Sequence, residues 1–179
     1  MIPAASSSTR LYICSLDALH DVVETSSASH VLTVINPWSL PNTPHGIKPE
    51  NHLKIAINDI EEEHPGLIAP NHDHISEILD FVGRWDHQNP LVIHCLAGIS
   101  RSTAAAFISL CAMNSETDEM TLARHLRQAS GTASPNRLMI RLADEQMERN
   151  GRMVSAIEEI GEGNIGLEAR PFSIPCFIA

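Results

Sequence analysis

The stretch Leu91–Phe107, LVIHCLAGISRSTAAAF, constrains the fold more than any other part of the chain. Three apolar residues lead into His94 and Cys95, and a run of small residues follows Arg101. A short apolar run bounded by turn signals reads as a buried strand. The segment Ser100–Met113 is apolar nearly all round and reads as a buried helix. Residues 95–100 must then form a tight loop between a strand end and a helix start. In an open α/β sheet that edge is where ligands bind. It is also where unpaired helix amides and the positive end of the helix dipole attract an anion.

The rest of the chain supplies further strands and helices in alternation. LYICSL (11–16), HVLTVIN (30–36) and HLKIAIND (52–59) read as strands. Leu16, Leu19, Val22 and Val23 have helical spacing, as do Ile75, Ile78, Leu79 and Val82. Asn71 or Asp73 can cap the second of these helices. Two more helices are expected at about 117–129 and 136–150, separated by the Gly and Pro of SGTASPN. Residues 37–51 hold four prolines and a glycine and read as a long loop, a type that is often functional.

This order predicts an α/β protein with a mostly parallel central sheet of four to five strands flanked by helices. The length, 179 residues, suits one domain. The expected division is a flexible arm at 1–10, a domain at 11–160 and a tail at 161–179. With three glycines and two prolines, the tail is expected to pack loosely.

Charge and cysteine usage narrow the function classes. The net charge of −10 argues against nucleic acid and against an anionic membrane as partner. The longest apolar run, around Ala104–Met113, is too short to span a bilayer. Cys14, Cys95, Cys111 and Cys176 include no C-x-x-C pair and suggest no disulfide framework. A reducing, cytoplasmic location is expected. The histidines and aspartate of NHDH (71–74) invite a metal reading, but no third ligand is evident; no metal and no cofactor are expected.

The loop residues carry a specific chemistry. Leu96, Ala97, Gly98, Ile99 and Ser100 can turn their amides around one phosphoryl group, and Gly98 can adopt a conformation that other residues resist. The same field favours a thiolate on Cys95. Arg101 offers a planar fork to two phosphoryl oxygens. Ser102 can donate a hydrogen bond to the Cys95 sulfur and help it leave in a second step. Cys95 can then attack phosphorus in line with the leaving oxygen.

The full string VIHCLAGISRST resembles the signature loop of the protein tyrosine phosphatase superfamily, in particular its small, dual-specificity-like, bacterial-type branch. The similarity in character extends over roughly residues 10–150, through the opening strands and the segment ASPNRLMIRL. The resemblance implies a phosphocysteine intermediate on Cys95 and a general acid/base Asp on an upstream loop. Asp59 is the candidate, at the end of LKIAIND; Glu61, Glu62, Glu63 and Asp73 are its competitors. It also implies that His94 orders the loop. Asn136 either braces the loop or caps its own helix.

The variable loop positions Leu96, Ala97 and Ile99 add no charge, which argues for a singly phosphorylated target. The expected partner is a phosphorylated protein or peptide, most of all one carrying phosphotyrosine. Two other readings remain: a catalytically silent phosphate-binding module, and a phosphatase of a non-protein phosphoester. Cys14 and Cys111 read as core. A disulfide between Cys95 and another cysteine would form a redox switch, but sequence does not say which pair is near enough.

Overall fold

A computed structural model describes residues 9–178. The elements run β1 (Arg10–Cys14), α1 (Leu19–Ser26), β2 (His30–Ile35), β3 (His52–Ala56), α2 (His72–Arg84), β4 (Leu91–His94), α3 (Arg101–Met113), α4 (Glu119–Ala129), α5 (Arg137–Gln146), α6 (Arg152–Ile160) and β5 (Phe172–Pro175). The strands form one sheet in the order β3-β2-β4-β1-β5. The first four are parallel, and β5 runs antiparallel to β1. This is the mixed α/β architecture read from the sequence.

Strand alternation explains the two faces. Leu11, Ile13, Leu32, Val34, Leu91 and Ile93 point into the main core beneath α2–α6. Val31, Val92 and Cys14 point the other way, into a smaller core under α1 and Ile47. With both faces covered, β2 and β4 are buried almost throughout, hence their unbroken apolar sequences. Every residue of α3 from Arg101 to Cys111 is buried, so this helix is the central pillar of the main layer. Its run Ala104–Ala106 lets neighbouring helices approach closely.

Caps fix the outer helices. Asn71 caps α2: its side chain accepts from the His74 amide at 3.1 Å, and the His74 ring accepts from the Asn71 amide at 3.2 Å. The NHDH segment is therefore a capping box, with Asp73 inside the first turn. Asp144 of α5 caps the next helix from outside, accepting from the amides of Gly151 at 2.6 Å and Met153 at 2.7 Å.

Three boundaries differ from the sequence reading. The strand expected to reach Asp59 ends at Ala56. The helix expected over 136–150 stops at Gln146, because Glu148, Asn150 and Gly151 all take positive φ. A separate helix, α6, then begins at Arg152. The tail expected to pack loosely instead supplies β5, with Leu11 opposite Ile174, and Cys176 donates its amide to Thr9 O at 2.9 Å. Its apolar side chains Ile174 and Cys176 complete the main core. Most of the expected arm, 1–10, lies outside the described residues. No helix among the described residues is long and apolar enough to cross a membrane.

Candidate active site

The carboxyl ends of four parallel strands meet at one place. Ser15 follows β1, Asn36 follows β2, Ile57 follows β3 and Cys95 follows β4. The loop 95–100 leads from there into the N-terminus of α3.

The loop is held by its carbonyls. Leu96 O accepts from Leu16 N at 3.1 Å, Ala97 O from Ala169 N at 2.9 Å, Ile99 O from Ser134 N at 2.9 Å and Ser100 O from Asn136 N at 3.3 Å. Three other parts of the chain thus draw the carbonyls outward, which turns the amides toward Cys95. Gly98 N donates to Cys95 Sγ at 3.3 Å, as that orientation requires. Gly98 has φ +74°, and a Cβ there would lie 2.9 Å from the Cys14 carbonyl carbon. Only glycine suits this position.

Two further groups address Cys95 and its surroundings. Ser102 Oγ lies 3.1 Å from Cys95 Sγ. Arg101 is buried, and its Nη1 donates to Asn36 Oδ1 at 2.6 Å and to Ile57 O at 2.8 Å. Those two bonds lock the guanidinium against the ends of β2 and β3. Its Nε is buried with no hydrogen-bond partner among the described residues. A buried, unsatisfied guanidinium N–H is costly unless a ligand meets it. Burial pushes the thiols of Cys14, Cys111 and Cys176 up to about 12, so they stay protonated in the core.

Beneath the loop runs a buried polar chain. Burial lowers both His94 and His52 to about 4, so both rings are neutral. His94 Nδ1 lies 3.1 Å from Cys95 O, which can only accept, so Nδ1 carries the proton. His94 Nε2 must then accept from the Thr33 hydroxyl at 2.7 Å. Thr33 Oγ1 in turn accepts from His52 Nε2 at 2.7 Å, and His52 Nδ1 accepts from the Thr43 hydroxyl at 2.9 Å. One direction of donation satisfies every member. The chain links the proline-rich loop to the carbonyl of Cys95.

Asp59 stands on the loop after β3, exposed at the mouth of the site. Its Oδ1 accepts from Ser100 Oγ at 2.7 Å and from Asn136 Nδ2 at 2.9 Å. Asn136 both caps α5, accepting from Met139 N at 3.0 Å, and braces the Asp59 loop through Ile60 O at 3.2 Å. Of the competing carboxylates, Glu61 accepts from Arg137 N at 3.1 Å.

A cleft of about 560 Å³ opens above Cys95 and Arg101, and Trp38, Asp59, Leu67 and Leu167 line it. A larger hollow of about 960 Å³ lies between residues 61–72 and α5; no residue of loop 95–101 lines it. The structure places Cys95, Arg101, Ser102, His94, Asp59 and Asn136, the residues singled out in the sequence, around this one edge of the sheet. The sequence reading did not find Asn36, Thr33, His52 or the tail residues Leu167 and Ala169. Those act through contacts distant in sequence, and no local pattern marks them.

The protein-tyrosine phosphatase family model matches residues 62–132, which span the loop and α3. No curated protein gives a significant match. Among solved structures, human DUSP28 is similar at 14% identity with a TM-score of 0.62, over 78% of this chain and 89% of that one. A mouse putative dual specificity phosphatase, complexed with zinc tungstate, is similar at 14% identity and TM-score 0.60, over 88% and 96%. The PTP-2 phosphatase of Cydia pomonella is similar at 16% identity and TM-score 0.58, over 81% and 90%. Residues 62–132 are thus similar to the protein-tyrosine phosphatase family, and the fold is similar to that of small dual-specificity phosphatases.

Proposed function

We propose that the protein hydrolyses phosphomonoesters through a phosphocysteine on Cys95, with a phosphorylated protein or peptide as substrate. One observation carries the reading: Arg101, whose buried Nε has no partner among the described residues, lines the same cleft as Cys95, whose sulfur already accepts an amide hydrogen bond. Both features suit a tetrahedral dianion seated in the loop.

Cys95 Sγ, as thiolate, forms a bond to phosphorus while the bond from phosphorus to the leaving oxygen breaks. The inward amides and Arg101 hold the equatorial oxygens. Asp59 gives a proton to the leaving oxygen; with Oδ1 held by Ser100 and Asn136, Oδ2 is the atom that carries it. Water then attacks phosphorus, Asp59 takes a proton from it, and the bond from sulfur to phosphorus breaks. Ser102 donates to the departing thiolate. Inorganic phosphate leaves and the thiolate is restored.

The cleft supports a singly phosphorylated target, since Arg101 is its only cationic lining residue among the described residues. Four buried, unpaired cysteines fit a reducing compartment such as the cytoplasm. Hydrolysis of p-nitrophenyl phosphate in the presence of chelator, by the wild type and by Cys95→Ser, tests the cysteine chemistry. Phosphotyrosine, phosphoserine and phosphothreonine peptides then rank the substrates.

A further inference from the structure

The described residues expose seven large apolar side chains, and they are not scattered. Trp38, Leu67, Leu96 and Leu167 line the cleft above Cys95. The other three, Leu40, Ile68 and Ile165, lie within two positions of one of these. Lone exposed apolar residues are ordinary, but four of the seven around one opening mark a binding surface.

Leu167 is the most telling member. It is 98% exposed, yet the chain on its C-terminal side is tethered. The Glu168 carboxylate accepts from the Ser15 hydroxyl at the end of β1, and Ala169 N donates to Ala97 O of the phosphate loop at 2.9 Å. On the other side, Asn164 N donates to Gly131 O at 2.7 Å. Residues 164–169 therefore form a strap fastened at both ends, which presents an apolar side chain to water beside the cleft. Trp38, 69% exposed on the proline-rich loop, supplies a second apolar wall of the same cleft.

Charge decides what fits this collar. Among the described residues Arg101 is the only cation lining the cleft, and it is committed to the phosphoryl group. Asp59 lines the cleft, and Glu61, Glu62 and Glu63 follow it on the same loop. Acidic flanks on a substrate would be repelled, and so would an anionic lipid surface. Building on the phosphatase reading, we infer that Trp38 and Leu167 form an apolar collar that selects phosphopeptides whose phosphorylated residue, phosphotyrosine above all, has apolar rather than acidic neighbours.

The test separates this inference from the catalytic one. The Cys95→Ser protein is titrated by fluorescence anisotropy with three phosphotyrosine peptides of equal length, flanked by leucine and valine, by serine and glycine, or by glutamate. The leucine-valine peptide is expected to bind about tenfold tighter than the serine-glycine peptide, and the glutamate peptide weakest. Trp38→Ser and Leu167→Ser, each made in the same Cys95→Ser background, should shrink the first ratio toward one. Equal binding of all three peptides, no binding of any, or tightest binding of the glutamate peptide would overturn the collar. Tighter binding of phosphatidylcholine vesicles doped with phosphatidate than of the leucine-valine peptide would overturn it too, in favour of a lipid occupant. Turnover by the wild type is followed in parallel. If no substrate is hydrolysed while the peptide ranking holds, the catalytic reading fails and the collar stands.

Discussion

Asp59 Oδ1 accepts a hydrogen bond from Ser100 Oγ at 2.7 Å, tying the loop after β3 to the phosphate loop across 41 positions of sequence. Asn136 Nδ2 reaches the same oxygen at 2.9 Å from the start of α5. Three segments thus set the position of one exposed carboxylate. The contact makes Asp59, rather than Glu61, Glu62 or Glu63, the carboxylate fixed over the phosphate loop.

Replacing Asp59 with Asn keeps an acceptor for Ser100 but removes the proton. The kcat for an alkyl phosphate is expected to fall about a hundredfold or more, with KM little changed. Steady-state kinetics on an alkyl and an aryl phosphate measure it, with the smaller loss on the aryl ester because its leaving group needs a proton less. Turnover of the alkyl ester near the wild-type level would move the acid role to a neighbouring Glu.

Gly98→Ala adds a Cβ that would lie 2.9 Å from the backbone of Cys14, at a residue with φ +74°. The left-handed conformation alone costs an alanine about 1 kcal/mol. The loop must open to relieve the contact, so its amides lose their aim at Cys95. Orthovanadate inhibition should weaken and turnover should collapse while far-UV circular dichroism is unchanged. Full activity in this variant would mean the loop does not need its left-handed turn.

The chain from Thr43 through His52 and Thr33 to His94 makes a pH prediction. Burial holds both imidazoles neutral down to about pH 4 in the folded state, whereas in the unfolded chain they protonate near 6.5. Between those values the unfolded state binds more protons. Stability from these groups is therefore complete above about pH 6.5 and is lost as pH falls toward 4. Urea unfolding midpoints at pH 7, 6 and 5 should decline across that window, and His52→Gln should flatten the decline. Thr33→Val strands two ring nitrogens and should cost about 1–3 kcal/mol by the same measurement. Midpoints that do not change from pH 7 to 5 would contradict the neutral relay.

Asp144 is nearly fully buried and satisfies the first amides of α6 with both oxygens. Asp144→Ala leaves those donors without partners and should lower stability by about 2 kcal/mol or more. Denaturant unfolding checks it; a loss under about 0.5 kcal/mol would place the cap's contribution with water instead.

The parts of this account that rest on local pattern were legible in the sequence. Strand β4 and helix α3 announce themselves because one is buried on both faces and the other all round. Cys95, Arg101 and Ser102 are singled out by the full string VIHCLAGISRST on that strand-loop-helix turn, not by spacing alone. What could not be read depends on distant pairing. Strand β5 is four residues long, and its backbone finds partners only on β1. Helix α6 does carry a local signal, with Met153, Ala156, Ile157 and Ile160 at helical spacing. The charged run around Asn150 and Gly151 hides its start. Glu168 and Ala169 acquire meaning only from Ser15 and Ala97, far away in the chain.

The nucleophilic role of Cys95 is checked by hydrolysis of p-nitrophenyl phosphate in excess chelator. Steady turnover is expected from the wild type and none above background from Cys95→Ser, with a phosphorylated cysteine trapped by acid quench and identified by mass spectrometry. Turnover that survives in Cys95→Ser, or that stops on adding chelator to the wild type, would contradict it.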